Sequence, residues 1–309
     1  MIISISRRTD IPAFFSEWFY NRIEDGYFMV RNPMNIHQVS KVTVTPQNAE
    51  CLVFWTKNPS FSFIENLPKL DEKGFNYYFQ FTITSYAQDI EKSVSRKTEI
   101  IEKFQKLSNQ IGKEKVIWRY DPIILNKKYN FDYHIKYFDY IAEKLSAYTE
   151  KVIISFVDCY SKIKTRLQEN EITDLTQEQM RKLGIVLKQI AEKHNLKIES
   201  CSETIDFDDI GIPHGHCIDG ELINRICQRN FIFKKDKTQR KECGCVTSVD
   251  IGSYNTCRHN CAYCYATWNG IIPNSIDNSS PLLGSVLSNE DKVTVRKIPV
   301  LKEYNPELF

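Results

Sequence analysis

Cys257, Cys261 and Cys264 form a Cys-x3-Cys-x2-Cys run within residues 250–266, directly after a short strand-like segment at 246–251. Three thiolates at this spacing on one loop can cap three irons of a cubane, and thiolates are the usual protein ligands of such clusters. A fourth iron is then left without a protein ligand. That open corner can chelate the amino and carboxylate groups of S-adenosylmethionine (SAM). An electron from a [4Fe-4S] cluster could then break the sulfonium C–S bond and release a 5′-deoxyadenosyl radical. Zinc asks for four closed ligands, often as two Cys-x2-Cys pairs, which this run does not offer by itself.

The chain holds ten cysteines in 309 residues, most of them between Cys217 and Cys264. In a reducing compartment they are not expected to be structural disulfides, so their crowding asks for metal. Cys201, Cys217, Cys243 and Cys245 bracket a polar segment, 202–246, which a second iron–sulfur cluster or a structural zinc would order. His214 and His216 could supply nitrogen ligands instead. The competing reading makes Cys201 and Cys217 small buried hydrophobes, with only the Cys243-Gly244-Cys245 pair special. Cys51, Cys159 and Cys227 sit in apolar settings and read as core. His134 and His194 lie on helical stretches and read as surface residues.

Elements must bring these groups together. Residues 2–6, 51–55, 77–84, 116–120, 152–156 and 197–201 read as buried strands. Between them run helical periods, one with Phe14, Phe15, Trp18, Phe19 and Ile23 on a single face. Others fall at 61–70, 96–111 and 133–145, and after Thr176, which starts a capping box with Gln179. Residues 27–30 and 39–44 suggest an added hairpin. Repeated β-then-α units imply a parallel sheet. Six of them without a glycine-rich nucleotide fingerprint predict an α/β fold of the (partial) β/α barrel type, with a doubly wound open sheet as the rival. We divide the chain into barrel units at 1–201, the cysteine-rich segment 202–246 with one helix at 221–228, and 247–309. The last part carries a final strand, the cysteine loop and a tail. That tail begins as a loop from Pro273 onward, with Asn274, Asn278, Ser279, Ser280 and Pro281, and could end in a strand near 293–296.

Catalytic groups of such a barrel sit just past the C-terminal strand ends. Those positions are polar here: Arg7, Arg8 and Asp10, then Lys57, Thr82, Thr84, Arg119, Asp121, Asp158, Glu199 and Glu203. Arginine forms paired hydrogen bonds with carboxylates, so Arg8 or Arg119 is expected on the SAM carboxylate or an anionic substrate. Asp121 or Glu203 could hold ribose hydroxyls or the SAM amino group, and Lys57 could contact substrate or donate a proton. The alternative for each is an ordinary strand-end ion pair. Trp55, Trp118 and Tyr120 read as aromatic core near the cavity.

In its cysteine loop the chain resembles the radical SAM superfamily, whose Cys-x3-Cys-x-aromatic-Cys pattern it reproduces with Tyr263 before Cys264. In that family the aromatic position packs near the SAM adenine. The run from Cys261 to Ala266 is similar to the loop of the spore photoproduct lyase branch. Over most of its length the chain resembles a bacterial family catalogued as domain of unknown function 1848. The residues that carry this are Arg7-Arg8-Thr9-Asp10-Ile11-Pro12, Phe54-Trp55-Thr56-Lys57, Trp118-Arg119-Tyr120-Asp121-Pro122 and the cysteine loop. These resemblances imply a cluster-binding enzyme with a reducing partner such as flavodoxin or ferredoxin, and they supply no substrate. Two departures stand out. The loop lies at residue 257 rather than near the N-terminus, which a circular permutation would explain by placing 246–251 beside the N-terminal strand. No Gly-Gly-Glu segment is present for the SAM amino group.

Composition bounds the rest. Hydrophobic residues make up 42% and charged residues 26%, ordinary for a globular chain. No apolar run is long enough to span a bilayer. The N-terminal residues place positive charge after a brief apolar stretch, the reverse of a secretion signal, so a cytoplasmic location is expected. The lyase-like loop allows a nucleic-acid or nucleotide substrate, but a net charge of +2 lends it little support. The basic run at 234–241 reads as a solvated loop. Two further function classes remain: a non-catalytic iron–sulfur protein for electron transfer or redox sensing, and a zinc-stabilised interaction module.

Overall fold

Period-two strands alternate with amphipathic helices through the first two hundred residues, and the computed structural model turns this pattern into one large parallel sheet. It describes residues 1–268, 276–297 and 301–304; of the loop expected from Pro273 onward, Pro273 and Asn274 lie outside them, whereas residues 278–281 form turns without helix or strand. In chain order the elements are β1 (Ile2–Ile5), α1 (Ile11–Phe14), α2 (Ser16–Asp25), the hairpin β2 (Tyr27–Asn32) and β3 (Asn35–Thr43), β4 (Cys51–Thr56), α3 (Phe61–Glu65) and α4 (Pro68–Lys73). Then come β5 (Tyr77–Thr82), α5 (Lys97–Ile111), β6 (Val116–Ile123), α6 (Phe131–Leu145), β7 (Lys151–Phe156), α7 (Lys164–Glu169), α8 (Gln177–Lys193) and β8 (Lys197–Ser200). The chain ends with α9 (Gly220–Cys227), β9 (Phe231–Ile232), β10 (Ser248–Asp250), β11 (Lys292–Val295) and β12 (Lys302–Glu303).

Seven strands form the main sheet in the order β10-β1-β4-β5-β6-β7-β8. Each neighbouring pair is parallel. The late strand β10 does lie beside β1, with Ile3 level with Val249. Barrel closure by strand pairing is not seen among the described residues: β8 and β10 remain the two edges. Irregular backbone runs between them. Ser200 N–H donates to Pro213 O (2.9 Å), Gly215 N–H to Ser200 O (2.6 Å), and Val246 N–H to Ile218 O (3.0 Å).

Strand alternation sorts the core into two faces. Ile3, Ile5, Leu52, Phe54, Phe79, Phe81, Trp118, Tyr120, Val152 and Ile154 pack with the helices. The alternate residues Ile2, Cys51, Val53, Tyr78, Ile117 and Ile153 pack against Cys217, Ile218, Leu222, Ile223, Cys243, Cys245 and Val246. Residues 217–246 therefore cover the inner face of the sheet, whereas Phe207 and Ile212 pack on the helix side. Tyr78 Oη and Gln80 Nε2 fasten the inner stretch by donating to Cys217 O, both at 2.8 Å.

Local chemistry sets the helix bounds. α8 begins with the expected capping box, Gln179 N–H to Thr176 Oγ1 (3.2 Å) and Thr176 N–H to Gln179 Oε1 (2.8 Å). The single helix expected at 61–70 is instead two, because Pro68 cannot donate within a helix and so starts α4 at its first turn. The strand expected near 293–296 is present as β11 and pairs in parallel with β3.

Candidate functional site

Continuing the inner-face alternation past the apolar rows brings Ser6, Trp55, Lys57, Thr82, Arg119, Asp121 and Ser155 toward the C-terminal strand ends, where they line a cavity of about 370 Å³. The same cavity is lined by Cys257, Cys261, Cys264 and Tyr263 of the loop, by Cys201, Cys217, Cys243 and Cys245, and by Arg8 and Glu203. Residues far apart in sequence thus share one space. Glu199 does not reach it: the carboxylate pairs with Lys151 Nζ at 3.0 Å.

Strand β10 delivers the cysteine loop. Asp250 at its end accepts from Ser4 Oγ (3.0 Å), Arg7 N–H (2.8 Å), Gly252 N–H (3.0 Å) and Ser6 Oγ. Asn255 and Asn260 take left-handed backbone angles, φ 59° and 53°, which asparagine tolerates, so the loop turns tightly on both sides of Cys257. Ala262 N–H donates to Ile90 O (2.8 Å), and Ser93 N–H to His259 O (3.0 Å). Nearby backbone N–H groups favour the thiolate at two of the cysteines, those of His259 and Asp10 at Cys257 and those of Ala266 and Thr267 at Cys264, but burial outweighs them. Burial pushes Cys257 up to about 12, and likewise holds Cys261 and Cys264 above the usual thiol range. Metal binding here must therefore release protons.

Beneath the loop lies a buried ion cluster. Glu91, 1% exposed, accepts from Lys57 Nζ (2.8 Å), Thr84 Oγ1 (2.7 Å), Lys97 Nζ and Tyr263 Oη. Burial alone would raise its pKa, but Lys57 and Lys97 outweigh that and hold it far below the carboxylate range. Burial likewise works against the Lys57 charge, and Glu91 more than compensates, so Lys57 stays a cation. Its ammonium lies 5.6 Å from the Tyr263 ring centre. Asp10 caps α1 through Ala13 N–H (3.0 Å) and also accepts from Lys57 N–H and His259 Nε2, both at 2.7 Å. His259 Nδ1 is buried without a hydrogen-bond partner among the described residues.

Arg119, 4% exposed, is fully engaged. Its Nε and Nη2 donate to Asp121, and Nη1 donates to Gln80 Oε1 (3.4 Å) and to Cys217 Sγ (2.7 Å). Asp121 also accepts from Ser155 Oγ. Arg8 is freer: half-buried, it reaches Gly252 O at 3.3 Å and lies 5.0 Å from the Tyr254 ring centre. Glu203 accepts from Phe156 N–H at 2.8 Å, and burial pushes its carboxyl up to about 8. Of the three aromatic residues, Trp118 and Tyr120 are core, whereas half-buried Trp55 lines the cavity.

The other four cysteines line the same cavity. Cys201 and Cys217 sulfurs are 2.9 Å apart, and Ile218 N–H donates to Cys245 Sγ at 3.3 Å. Ser202 Oγ is 4.0 Å from Cys201 Sγ. All ten cysteines are free thiols. His214 and His216 do not line the cavity.

Several expectations fail. His134 is wholly buried, its ring held by Tyr120 Oη (2.8 Å) and Ile124 O (2.7 Å), because the helix face carrying it turns inward. His194 is half-buried and paired with Asp139 at 2.7 Å. Cys51 is core as expected, whereas Cys159 and Cys227 are half-buried. Glu91 and Asp250 carry the site's architecture and were missed. His259 sits between two of the loop cysteines, and that position was a readable signal.

Among the described residues no group of three or more His, Cys, Asp or Glu stands ready to hold a single metal ion. A cubane asks for something different, one separated thiolate per iron. The three loop cysteines on one cavity wall and the buried, unpartnered Nδ1 of His259, which lies between two of them in sequence, suit such a group.

Fold and site define a mixed α/β protein whose large parallel sheet opens at its C-terminal strand ends onto a thiol-lined cavity. Residues 2–266 match the family described as a domain of unknown function (DUF1848), and the chain belongs to that family. No curated protein and no solved structure matches it. No helix among the described residues is long and apolar enough to cross a membrane.

Proposed function

We propose that this chain is an enzyme of the radical SAM type on a circularly permuted, barrel-like sheet, with Cys257, Cys261 and Cys264 holding a [4Fe-4S] cluster. The observation that carries the reading is the placement of these three cysteines on one cavity ringed by strand-end polar groups. When bound, the cluster would supply the electron that cleaves SAM to methionine and a 5′-deoxyadenosyl radical. The chain's residues bind and orient. Arg8, with donors to spare, suits the SAM carboxylate or an anionic substrate better than Arg119, whose donors face Asp121, Gln80 and Cys217. Tyr263, pinned through its hydroxyl to Glu91, offers a fixed ring edge for an adenine. Lys57, kept protonated by Glu91, suits electrostatic contact with substrate rather than proton donation. Glu203 and Asp121 remain the candidates for ribose hydroxyls or the amino group. A small reducing partner such as flavodoxin or ferredoxin would deliver electrons.

Anaerobic reconstitution with iron and sulfide, then dithionite and SAM, tests this. Wild type is expected to release 5′-deoxyadenosine, and Cys261→Ala to release none. Reversible reduction with SAM left intact would instead mark an electron-transfer or sensing protein, and equal behaviour of the two chains would end the assignment to this loop.

A further inference from the structure

The hairpin β2–β3 and the tail strand β11 make a small sheet of their own. Between that sheet and the β10 edge of the main sheet lies a second cavity of about 390 Å³. Its charged groups are Arg7, Arg8, Arg31, Arg296, Asp236 and Asp250. Arg7, Arg8, Gln239 and Tyr265 line the first cavity as well, so the two spaces share a wall.

Most of these charges are already engaged. Both Nη groups of Arg31 donate to Asp291. Asp236 accepts from Thr238 N–H (2.9 Å) and Thr238 Oγ1 (2.7 Å), and Asp250 takes the four donors that anchor the cysteine loop. Arg8 approaches Asp250 only to 3.9 Å. Arg7 is half-buried, meets Ser248 Oγ at 3.5 Å and lies 5.4 Å from the Trp55 ring centre, with no carboxylate paired to it among the described residues. Arg296 spends its N–H on Lys41 O (2.9 Å), and its guanidinium has no hydrogen-bond or ion-pair partner among the described residues. With Arg31 neutralised, Arg7, Arg8 and Arg296 outnumber Asp236 and Asp250 by one. Withdrawing an unpaired cation from water is costly, and a cleft with surplus positive charge draws anions. The free guanidiniums come from two sheets, at the end of β1 and just past β11. A planar carboxylate is served by one such fork, whereas a phosphate offers oxygens to donors from more than one direction.

We infer that the second cavity binds the phosphate group of a small phosphate monoester, held by Arg7 and Arg296, with the rest of that molecule reaching past the shared wall into the first cavity. That this monoester is the substrate rests on the proposed function; that phosphate binds here does not. Calorimetric titration of anaerobically purified full-length protein tests it, with inorganic phosphate, phenyl phosphate and acetate as probes. Phosphate should bind at one site, phenyl phosphate at least as tightly, and acetate not measurably. Loss of a charge-assisted hydrogen bond in Arg7→Gln should weaken phosphate about tenfold. Arg296→Gln, an exposed position that decides the matter should the Arg7 variant not fold, should weaken it severalfold. Arg240→Gln should change nothing, because Arg240 lines the first cavity and not the second. Equal losses in the Arg240 and Arg296 variants would overturn the inference in favour of general charge attraction. Wild type that binds no phosphate, or binds acetate as well, would also overturn it. Phenyl phosphate binding more weakly than free phosphate would refute the reach into the first cavity. Phosphate binding without SAM cleavage would sink the proposed function alone.

Discussion

Glu91 neutralises two lysines where water cannot help, and Tyr263 of the cysteine loop hangs from the same carboxylate. Removing one partner of a buried ion pair strands the others, at about 3–5 kcal/mol. Lys97 is a quarter exposed and recovers some hydration, so Glu91→Gln is expected to cost on the order of 3 kcal/mol, read from the urea midpoint. An unchanged midpoint would mean that the lysines find other partners. His134 makes a second residue-scale prediction. Burial lowers it from the ordinary 6.5 to about 4, so between these values the unfolded chain binds the proton and the native chain does not. Stability is therefore complete above pH 6.5 and falls as pH drops toward 4. Lowering the pH from 7 to 5 should cost about 2 kcal/mol through this group, at about 1.4 kcal/mol per pKa unit. The slope should flatten in His134→Gln; an equal slope in both would assign the loss to carboxylates. His134 also shows why burial was hard to read. One polar residue inside an apolar helix stripe carries no label, and its partners Tyr120 and Ile124 lie on a neighbouring strand and the turn after it.

At the scale of elements, alternation did most of the positioning. Strands with side chains on alternating faces put Lys57, Arg119 and Asp121 in line with Val53 and Ile117, so the sequence pattern alone aims them at one face. The run at 246–251 was readable as a strand, and β10 pairs with β1 as a permuted order requires. The crossing at 213–218 was not readable, because its bonds to Ser200 and Val246 are between backbone atoms and leave no side-chain signature. Asp250 and Gly252 join strand to loop. A Cβ on Gly252 would stand 2.1 Å from Ser6 Oγ, and Ser6 cannot swing aside without releasing Asp250 and Arg8 N–H. Gly252→Ala should therefore shift the loop off β1, at about 1–3 kcal/mol of overpacking strain. It should also lower the iron retained after anaerobic reconstitution while leaving the far-ultraviolet circular dichroism unchanged. Full iron retention would show that the loop is held from residues 90–93 instead.

At the scale of the molecule, the strand-end rule predicted a shared cavity for residues as distant as Arg8 and Cys264. It could not predict what holds that cavity in shape, since the acids that do so bind partners at sequence separations up to 249. The tail adds a long-range tie of the same kind, beyond the residues matched by the family. Trp18, fully buried on α2, donates its indole N–H to Ser280 O (2.8 Å), and Met29 N–H donates to Pro281 O (2.9 Å). Leu282 and Leu283 are buried, and Asp291 meets the Arg31 guanidinium through both oxygens. A chain ending at Trp268 would forgo the burial of two leucines, worth about 1.5–3 kcal/mol each, and leave the buried indole N–H unpaired, at about 1–3 kcal/mol. The expected loss is on the order of 5 kcal/mol, with the hairpin β2–β3 losing amide protection first because β11 pairs with β3. Hydrogen exchange on the shortened chain checks both parts. Protection retained across the hairpin would mean that the tail only rests on a fold already complete without it.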